Sequence, residues 1–262
     1  MKTSKNNSTP WPVFVISLKR AEDRREAISA QLSERGINFT FMDAADCTSG
    51  VPVHLEERID RDGTIRNLGY PMSDGEYGCA LSHIAAYERI VAEGLPGALI
   101  LEDDAILTDQ LKEFHEAGPY RNHDLVQLSY FDARVWRWKE QKAGPGVTLR
   151  FLAENAFTAA GYYLSRKAAM RFMERSLPVR AKADWPFDLK ELKPAITVPC
   201  LVNHPKPTTE QSYIGDRHQL IPEGFNFSAG YPKGWKRLVS LSAWRRFFMK
   251  RFSHRISPGF LD

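Results

Sequence analysis

Ala98-Leu-Ile-Leu-Glu-Asp-Asp-Ala-Ile-Leu107 decides how this chain is read. Pro96 and Gly97 precede a short apolar run, Ala98 to Leu101, and three acids end it: Glu102, Asp103 and Asp104. A run this short and this apolar reads as a strand buried on both faces, as in a parallel sheet. Ligands of open α/β sheets gather at the carboxyl ends of such strands. Three adjacent carboxylates repel one another, and beside a core they need a compensating positive charge. A divalent cation holding a diphosphate supplies it, because hard cations take oxygen ligands. Glu102 and Asp104 share one side of an extended chain, so they can converge on one ion, or on an ion and a sugar. The triplet also suits a solvated loop or a helix start, since Asp caps helices.

Upstream, Val13-Phe-Val-Ile-Ser-Leu18 is a second buried-strand pattern, followed by Lys19, Arg20, Arg24 and Arg25. Ala27, Ile28, Leu32 and Arg35 then fall at helical spacing, and Gly36 is a good stop. Residues 37–42 read as another strand. Strand, helix, strand is the start of a nucleotide-binding α/β unit. The glycine fingerprint of dinucleotide folds is absent, and basic residues stand in its place. Arg20 and Arg24 suit a phosphate or a base; Arg25 fits a charged helix surface.

Residues 48–73 read as an irregular insertion or a loop over the site. Ser73 then opens a helix in which Tyr77, Ala80, Ile84, Tyr87 and Val91 line a core face. His83 lies on another face with Glu76 and Cys79, and a single helical histidine is more often structural than a ligand. Thr108 is expected to cap a helix to about Ala117. Residues 124–130 read as a strand and 133–150, with Trp136 and Trp138, as a hairpin or an excursion. The small residues of Thr158-Ala-Ala-Gly161 allow close backbone approach to a ligand, and Ser165 caps a helix. Residues 182–188 form an acidic-aromatic loop, residues 195–202 a last strand, and Asn203-His204 follows.

The 262 residues suit one α/β domain or two small ones, with 43% hydrophobic and 26% charged residues. Cys47, Cys79 and Cys200 match no zinc spacing and suggest no disulfide framework, which fits a reducing compartment. The first ten residues lack the apolar centre of a signal peptide, and no run is long enough to span a bilayer. Residues 233–262 carry eight Lys or Arg and one acid, so a net charge of +4 hides a slightly acidic body. In the tail, Leu238, Leu241, Trp244, Phe248 and Phe252 recur every three or four residues among basic ones. Such a helix suits an anionic bilayer interface. Docking on the domain or binding a single-stranded nucleic acid are the alternatives. Confinement of the basic residues to one segment argues against nucleic acid.

Three blocks together resemble glycosyltransferase family 25, the lipopolysaccharide and lipooligosaccharide glycosyltransferases, over roughly residues 12–215. They are Val15-Ile-Ser-Leu-Lys-Arg-Ala-Glu-Asp-Arg-Arg25 with Phe41-Met-Asp-Ala44; Gly75-Glu-Tyr-Gly-Cys-Ala-Leu-Ser-His83 with Ala98 to Asp104; and Thr158 to Ala169 with Asp184-Trp-Pro-Phe-Asp188 and Pro199-Cys-Leu-Val202. The resemblance implies a GT-A-like, Rossmann-type domain with a mostly parallel sheet, at residues 12–232, and the basic amphipathic tail completes the chain at 233–262. It further implies metal-dependent, inverting transfer from a UDP-sugar, usually UDP-galactose, to a growing saccharide, with Mn²⁺ or Mg²⁺ as cofactor. Carried onto this chain, Asp104, Glu102 and His204 would serve the metal. Ser17, Leu18, Arg20, Arg24, Asp43, Ser82, His83, Glu102 and Asp103 would serve the donor. Asp188, then Asp184, would be the base. Ser17 departs from a usual Asn, Tyr77 from an aliphatic residue, and Asn203-His204 from a Gln-containing turn, which leaves the role of His204 open.

The resulting expectation is a galactosyltransferase acting on a lipid-linked oligosaccharide, peripheral on the cytoplasmic face of the inner membrane through residues 235–252. No nucleic-acid partner is expected. A metal-dependent nucleotide-sugar hydrolase or nucleotidyltransferase, and a non-enzymatic sugar- or nucleic-acid-binding module, are the rival readings.

Overall fold

The apolar runs of the sequence become interior strands of one sheet. The structure is a computed structural model and describes residues 9–204 and 241–258. In chain order the elements are β1 (Val13–Ser17), α1 (Glu22–Glu34), β2 (Thr40–Asp43), α2 (Val53–Glu56), α3 (Arg61–Leu68), α4 (Asp74–Ala92), β3 (Gly97–Glu102), β4 (Ile106–Leu107) and α5 (Gln110–Ala117). Then come β5 (Leu125–Gln127), β6 (Ala133–Gly144), β7 (Val147–Leu152), β8 (Gly161–Ser165), α6 (Arg166–Ser176), β9 (Ala195–Val198), β10 (Val202–Asn203), α7 (Leu241–Phe252) and β11 (Ser253–Ile256).

Among the described residues, nine strands form the order β11-β6-β7-β9-β5-β8-β3-β1-β2, and β10 with β4 makes a separate ribbon. Strands β1, β2, β3, β5, β6 and β9 run one way, so most agree in direction, as expected. The pairing is nevertheless mixed, because β8 runs antiparallel between β3 and β5 and β7 runs antiparallel between β9 and β6. The residues of β8 read in the sequence as a run of small residues leading into a helix. A strand buried on both faces carries no alternation to betray it, and its direction is set by the connection that delivers it.

Alternate residues of β1 and β3 face opposite layers. Phe14, Ile16, Ala98 and Ile100 pack with α4 and α6, whereas Val13, Val15, Leu99 and Leu101 pack with α1 and α5. Helix α4 begins where expected, at a capping box in which Ser73 and Glu76 satisfy each other's backbone N–H. Ser165 caps α6 by accepting from the Ala168 N–H.

Three local expectations need correction. Residues 48–73 hold two helices rather than an irregular loop. Asp60 accepts from Gly63 N–H to start α3, and Gly69 at φ +83° stops it in the left-handed conformation. Thr108 does not cap α5: its hydroxyl donates to the Leu201 carbonyl instead. Gly161 gives up its side chain for the protein rather than for a ligand, since a Cβ there would lie 2.9 Å from Val202.

The cysteines are free, with Cys47 and Cys200 buried. The expected tail helix lies partly outside the described residues, at 235–240. Its described part, α7, exposes Trp244, Phe247, Phe248 and Phe252. Trp138 of β6 is exposed as well, and its ring meets Phe252 edge-on at 5.3 Å. β11 continues from α7 and pairs with β6. No helix among the described residues is long and apolar enough to cross a membrane.

Candidate active site

The three carboxylates at the end of β3 leave it in three directions. Glu102 follows Ala98 and Ile100 onto the α4 side, where its Oε1 lies 3.1 Å from His83 Nε2. Asp103 turns toward β1 and α1. Ser17 Oγ donates to its Oδ2 at 2.6 Å, and Arg24 Nη1 donates to its Oδ1 at 3.2 Å. Asp104 Oδ2 lies 3.6 Å from Arg24 Nη1 and 3.5 Å from His204 Nε2. The β4–β10 ribbon causes that last approach: Asn203 pairs with Ile106, which folds His204 back over the acids.

Charge is poorly balanced at Asp104. Burial and the neighbouring Glu102 charge push its carboxyl up to about 6, against the pull of His204 and Arg24. Burial also opposes ionisation of Glu102. The His83 hydrogen bond and the positive charges of His83, His204 and Arg24 outweigh it and hold Glu102 below its ordinary value. Among the described residues, the buried Asp104 Oδ1 has no hydrogen-bond partner. A ligand atom from each of Glu102, Asp104 and His204 falls within 4.8 Å of the others. Two carboxylates, an imidazole and an unsatisfied buried oxygen fit a divalent cation such as Mn²⁺ or Mg²⁺.

His83 is 1% exposed and both its ring nitrogens are engaged. Nδ1 lies 2.7 Å from Tyr162 Oη, which lies 2.8 Å from Tyr87 Oη. A chain of hydrogen bonds therefore runs from the core, through α4 and β8, to Glu102. Tyr162 was not singled out in the sequence, and a phenol in a strand buried on both faces is the signal that was there.

Arg20, Asp43 and Ser82, also expected at the donor, have partners of their own. Arg20 is held by Asp46 at 2.8 Å and Thr48 at 2.6 Å. Arg25 donates to the carbonyls of Ser17 and Leu18 and pairs with Asp43 at 2.7 Å, so it clamps the ends of β1 and β2 together. Ser82 Oγ donates to the Gly78 carbonyl and accepts from the Ala45 N–H, tying α4 to the segment after β2.

The two expected catalytic acids are both exposed but differ in setting. Burial pushes up the Cys79 thiol and the Tyr87 phenol, and the charges of Glu102 and Asp184 add smaller pushes in the same sense. Asp188 caps the short turn Leu189–Leu192, accepting from Lys190 N–H at 3.2 Å and from Lys190 Nζ at 3.0 Å. Asn155 fixes this loop by donating to the Phe187 carbonyl and accepting from Leu189 N–H.

Gln127 also escaped sequence reading. Fully buried, its amide donates at 2.8 Å to the carbonyls of Ser129 and Thr158, with those of Ala156 and Phe157 just beyond. It holds the segment whose Thr158 sits at φ +88°, next to Ala160, whose carbonyl accepts from Glu102 N–H. A polar amide inside the apolar run Leu125-Val-Gln-Leu128 was the available signal.

Comparison with known proteins finds relatives of this chain. Over 164 residues the chain is 29% identical to lipooligosaccharide biosynthesis protein lic2B of Haemophilus influenzae, covering 59% of each chain. It is 28% identical over 169 residues to human procollagen galactosyltransferase 2, covering 62% of this chain and 27% of that one. It is 34% identical over 180 residues to the probable inactive glycosyltransferase 25 family member 3 of Rattus norvegicus, covering 64% of this chain and 31% of that one. The chain thus spans less than two thirds of each of these relatives. The family model described as glycosyltransferase family 25 (LPS biosynthesis protein) matches residues 11–188, a span that holds β1, α4, the acidic triplet and both loop acids. On that match, carried by two thirds of its length, the chain belongs to glycosyltransferase family 25.

Proposed function

We propose that this chain transfers galactose, with inversion, from UDP-galactose to a saccharide acceptor of lipooligosaccharide synthesis, using a GT-A-like domain. The observation that carries the reading is the acidic triplet at the end of β3, with Arg24 and His204 beside it and one buried Asp104 oxygen unsatisfied. The names of two relatives support the substrate classes: lic2B for lipooligosaccharide, procollagen galactosyltransferase for the sugar. Because another relative is named as probably inactive, activity has to rest on this chain's own residues.

Glu102, Asp104 and His204 would hold Mn²⁺ or Mg²⁺, which when bound supplies positive charge against the departing diphosphate. Asp103, locked by Ser17 and Arg24, is poised to accept hydrogen bonds from the ribose or sugar hydroxyls of the donor. Arg24 adds a fixed cation at the same place. An inverting displacement needs a base to take the proton of the acceptor hydroxyl. Asp184 is the better supported base, since its charge is felt at Cys79 and Tyr87 while Asp188 is committed to its own turn. The exposed aromatics of α7, with Lys250 and Arg251 among them, would hold the enzyme on an anionic membrane at its cytoplasmic face, where a lipid-linked acceptor lies.

Calorimetric titration with UDP, UDP-galactose, UDP-glucose and UDP-N-acetylhexosamines, each with Mn²⁺ and with EDTA, tests the reading. Metal-dependent binding of UDP-galactose, lost in Asp104→Ala, is expected. Folded protein that binds none of them overturns it.

A further inference from the structure

Cys79 has no part in the site as described so far. It stands at position i, and His83 at i+4, on α4, so the two side chains share one face of that helix. Glu102 at the end of β3 faces them, and a ligand atom from each of the three falls within 4.8 Å of the others. We propose that Cys79, His83 and Glu102 form a second cation site, selective for a thiophilic divalent ion such as Zn²⁺, which shares Glu102 with the Asp104–His204 group.

The donor sets differ in kind. A thiolate, an imidazole and a carboxylate are zinc chemistry, whereas the Glu102, Asp104 and His204 group offers no sulfur. Distances also agree. Bonds of about 2.0–2.3 Å in a tetrahedral site put ligand atoms roughly 3–4 Å apart. His83 Nε2 and Glu102 Oε1 are already 3.1 Å apart, so the ion takes the place of the hydrogen between them. Three protein ligands leave a fourth position for water.

The surroundings of His83 are already those of a metal-bound imidazole. To ligate through Nε2, the ring must carry its proton on Nδ1. There it donates to Tyr162 Oη at 2.7 Å, and Tyr162 donates onward to Tyr87 Oη at 2.8 Å. On loading, the Cys79 thiol proton and the His83 Nε2 proton both leave to solvent while the second imidazole proton stays on Nδ1, so charge and protons balance. Cys79 and Glu102 are each partly exposed, which gives the ion a way in, while His83 is buried behind them. Because Glu102 belongs to both groups, a thiophilic ion competes with Mn²⁺ for that ligand.

Cobalt absorption on the purified full chain tests the site without donor or acceptor, so its outcome is independent of the transferase reading. Co²⁺ should produce a thiolate-to-metal charge-transfer band that Zn²⁺ abolishes and that is missing from Cys79→Ser. Equilibrium dialysis should show Zn²⁺ affinity reduced by at least about tenfold in Cys79→Ser and by about 10- to 100-fold in Tyr162→Phe. Mn²⁺ affinity of Cys79→Ser should match the wild type. A band that persists in Cys79→Ser, or no band in folded wild-type protein, overturns the proposal. Cys79→Ala replaces Cys79→Ser if the latter does not fold.

Discussion

His204 Nε2 lies 3.5 Å from Asp104 Oδ2, and the short β4–β10 ribbon is what brings them together. If His204 is a metal ligand, His204→Ala should weaken Mn²⁺ binding by about tenfold or more, and Asp104→Ala should weaken it further. Calorimetry in the absence of any sugar nucleotide reads this directly. Unchanged Mn²⁺ affinity in both variants would remove the metal from this place.

The high Asp104 pKa links function to stability in opposite senses. With its carboxyl at about 6 in the folded chain against an ordinary 3.8, the folded state keeps that proton to higher pH than the unfolded state. Stability of the metal-free protein is therefore lost as pH rises from about 4 to 6, and the loss persists above. Asp104→Asn, which cannot ionise, should be more stable than wild type by about 1–3 kcal/mol at pH 8 in EDTA, with the gap closing near pH 4. Denaturant melts at the two pH values check this. For the same reason Mn²⁺ affinity of the wild type should fall as pH drops through about 6, because the proton and the metal compete.

Asp184 and Asp188 can be told apart by turnover. Asp184→Asn should lower kcat by about 10²- to 10⁴-fold with little effect on donor binding. Asp188→Ala should chiefly loosen the turn that it caps, costing about 1 kcal/mol of stability. The reverse pattern would make Asp188 the base.

Gln127→Ala should cost roughly 2–3 kcal/mol, because it strands buried carbonyls of Ser129 and Thr158. Thermal melts measure that cost. The released Thr158 segment backs Glu102, so donor KM should rise more than acceptor KM.

Membrane contact should depend on aromatic exposure and on charge together. Replacing Trp138, Phe247 and Phe248 with Ser should reduce co-sedimentation with anionic vesicles. Raised salt should do the same to the wild type. Equal binding to neutral vesicles would contradict the reading.

The sequence was most legible where burial and capping speak locally. The apolar runs of β1 and β3, the Ser73 capping box and the Ser165 cap each carry their own signal, and the acidic triplet follows from the end of β3. Asp60 and Gly69 bracket α3 with equally local signals, yet the mixed charge between them reads as loop. β8 was hidden because Gly-Tyr-Tyr-Leu has no alternation, and the Tyr162–His83 contact joins residues far apart in the chain. His204 could be named as a candidate ligand, but its approach to Asp104 depends on a ribbon of only two pairs, which leaves no pattern in either segment.

β11 bears on how the membrane idea can be tested. Among the described residues, Ser253–Ile256 lies along β6 as the outermost strand of that side of the sheet. A chain cut ahead of α7 would lose this cover and present a row of unpaired N–H and C=O groups flanked by Trp136 and Trp138. Such a rim recruits other copies by strand addition, so a truncated protein would pellet with vesicles or without them. The tail is thus a guard against self-association as well as a candidate anchor, and the two duties separate only in variants that leave Ser253–Ile256 in place.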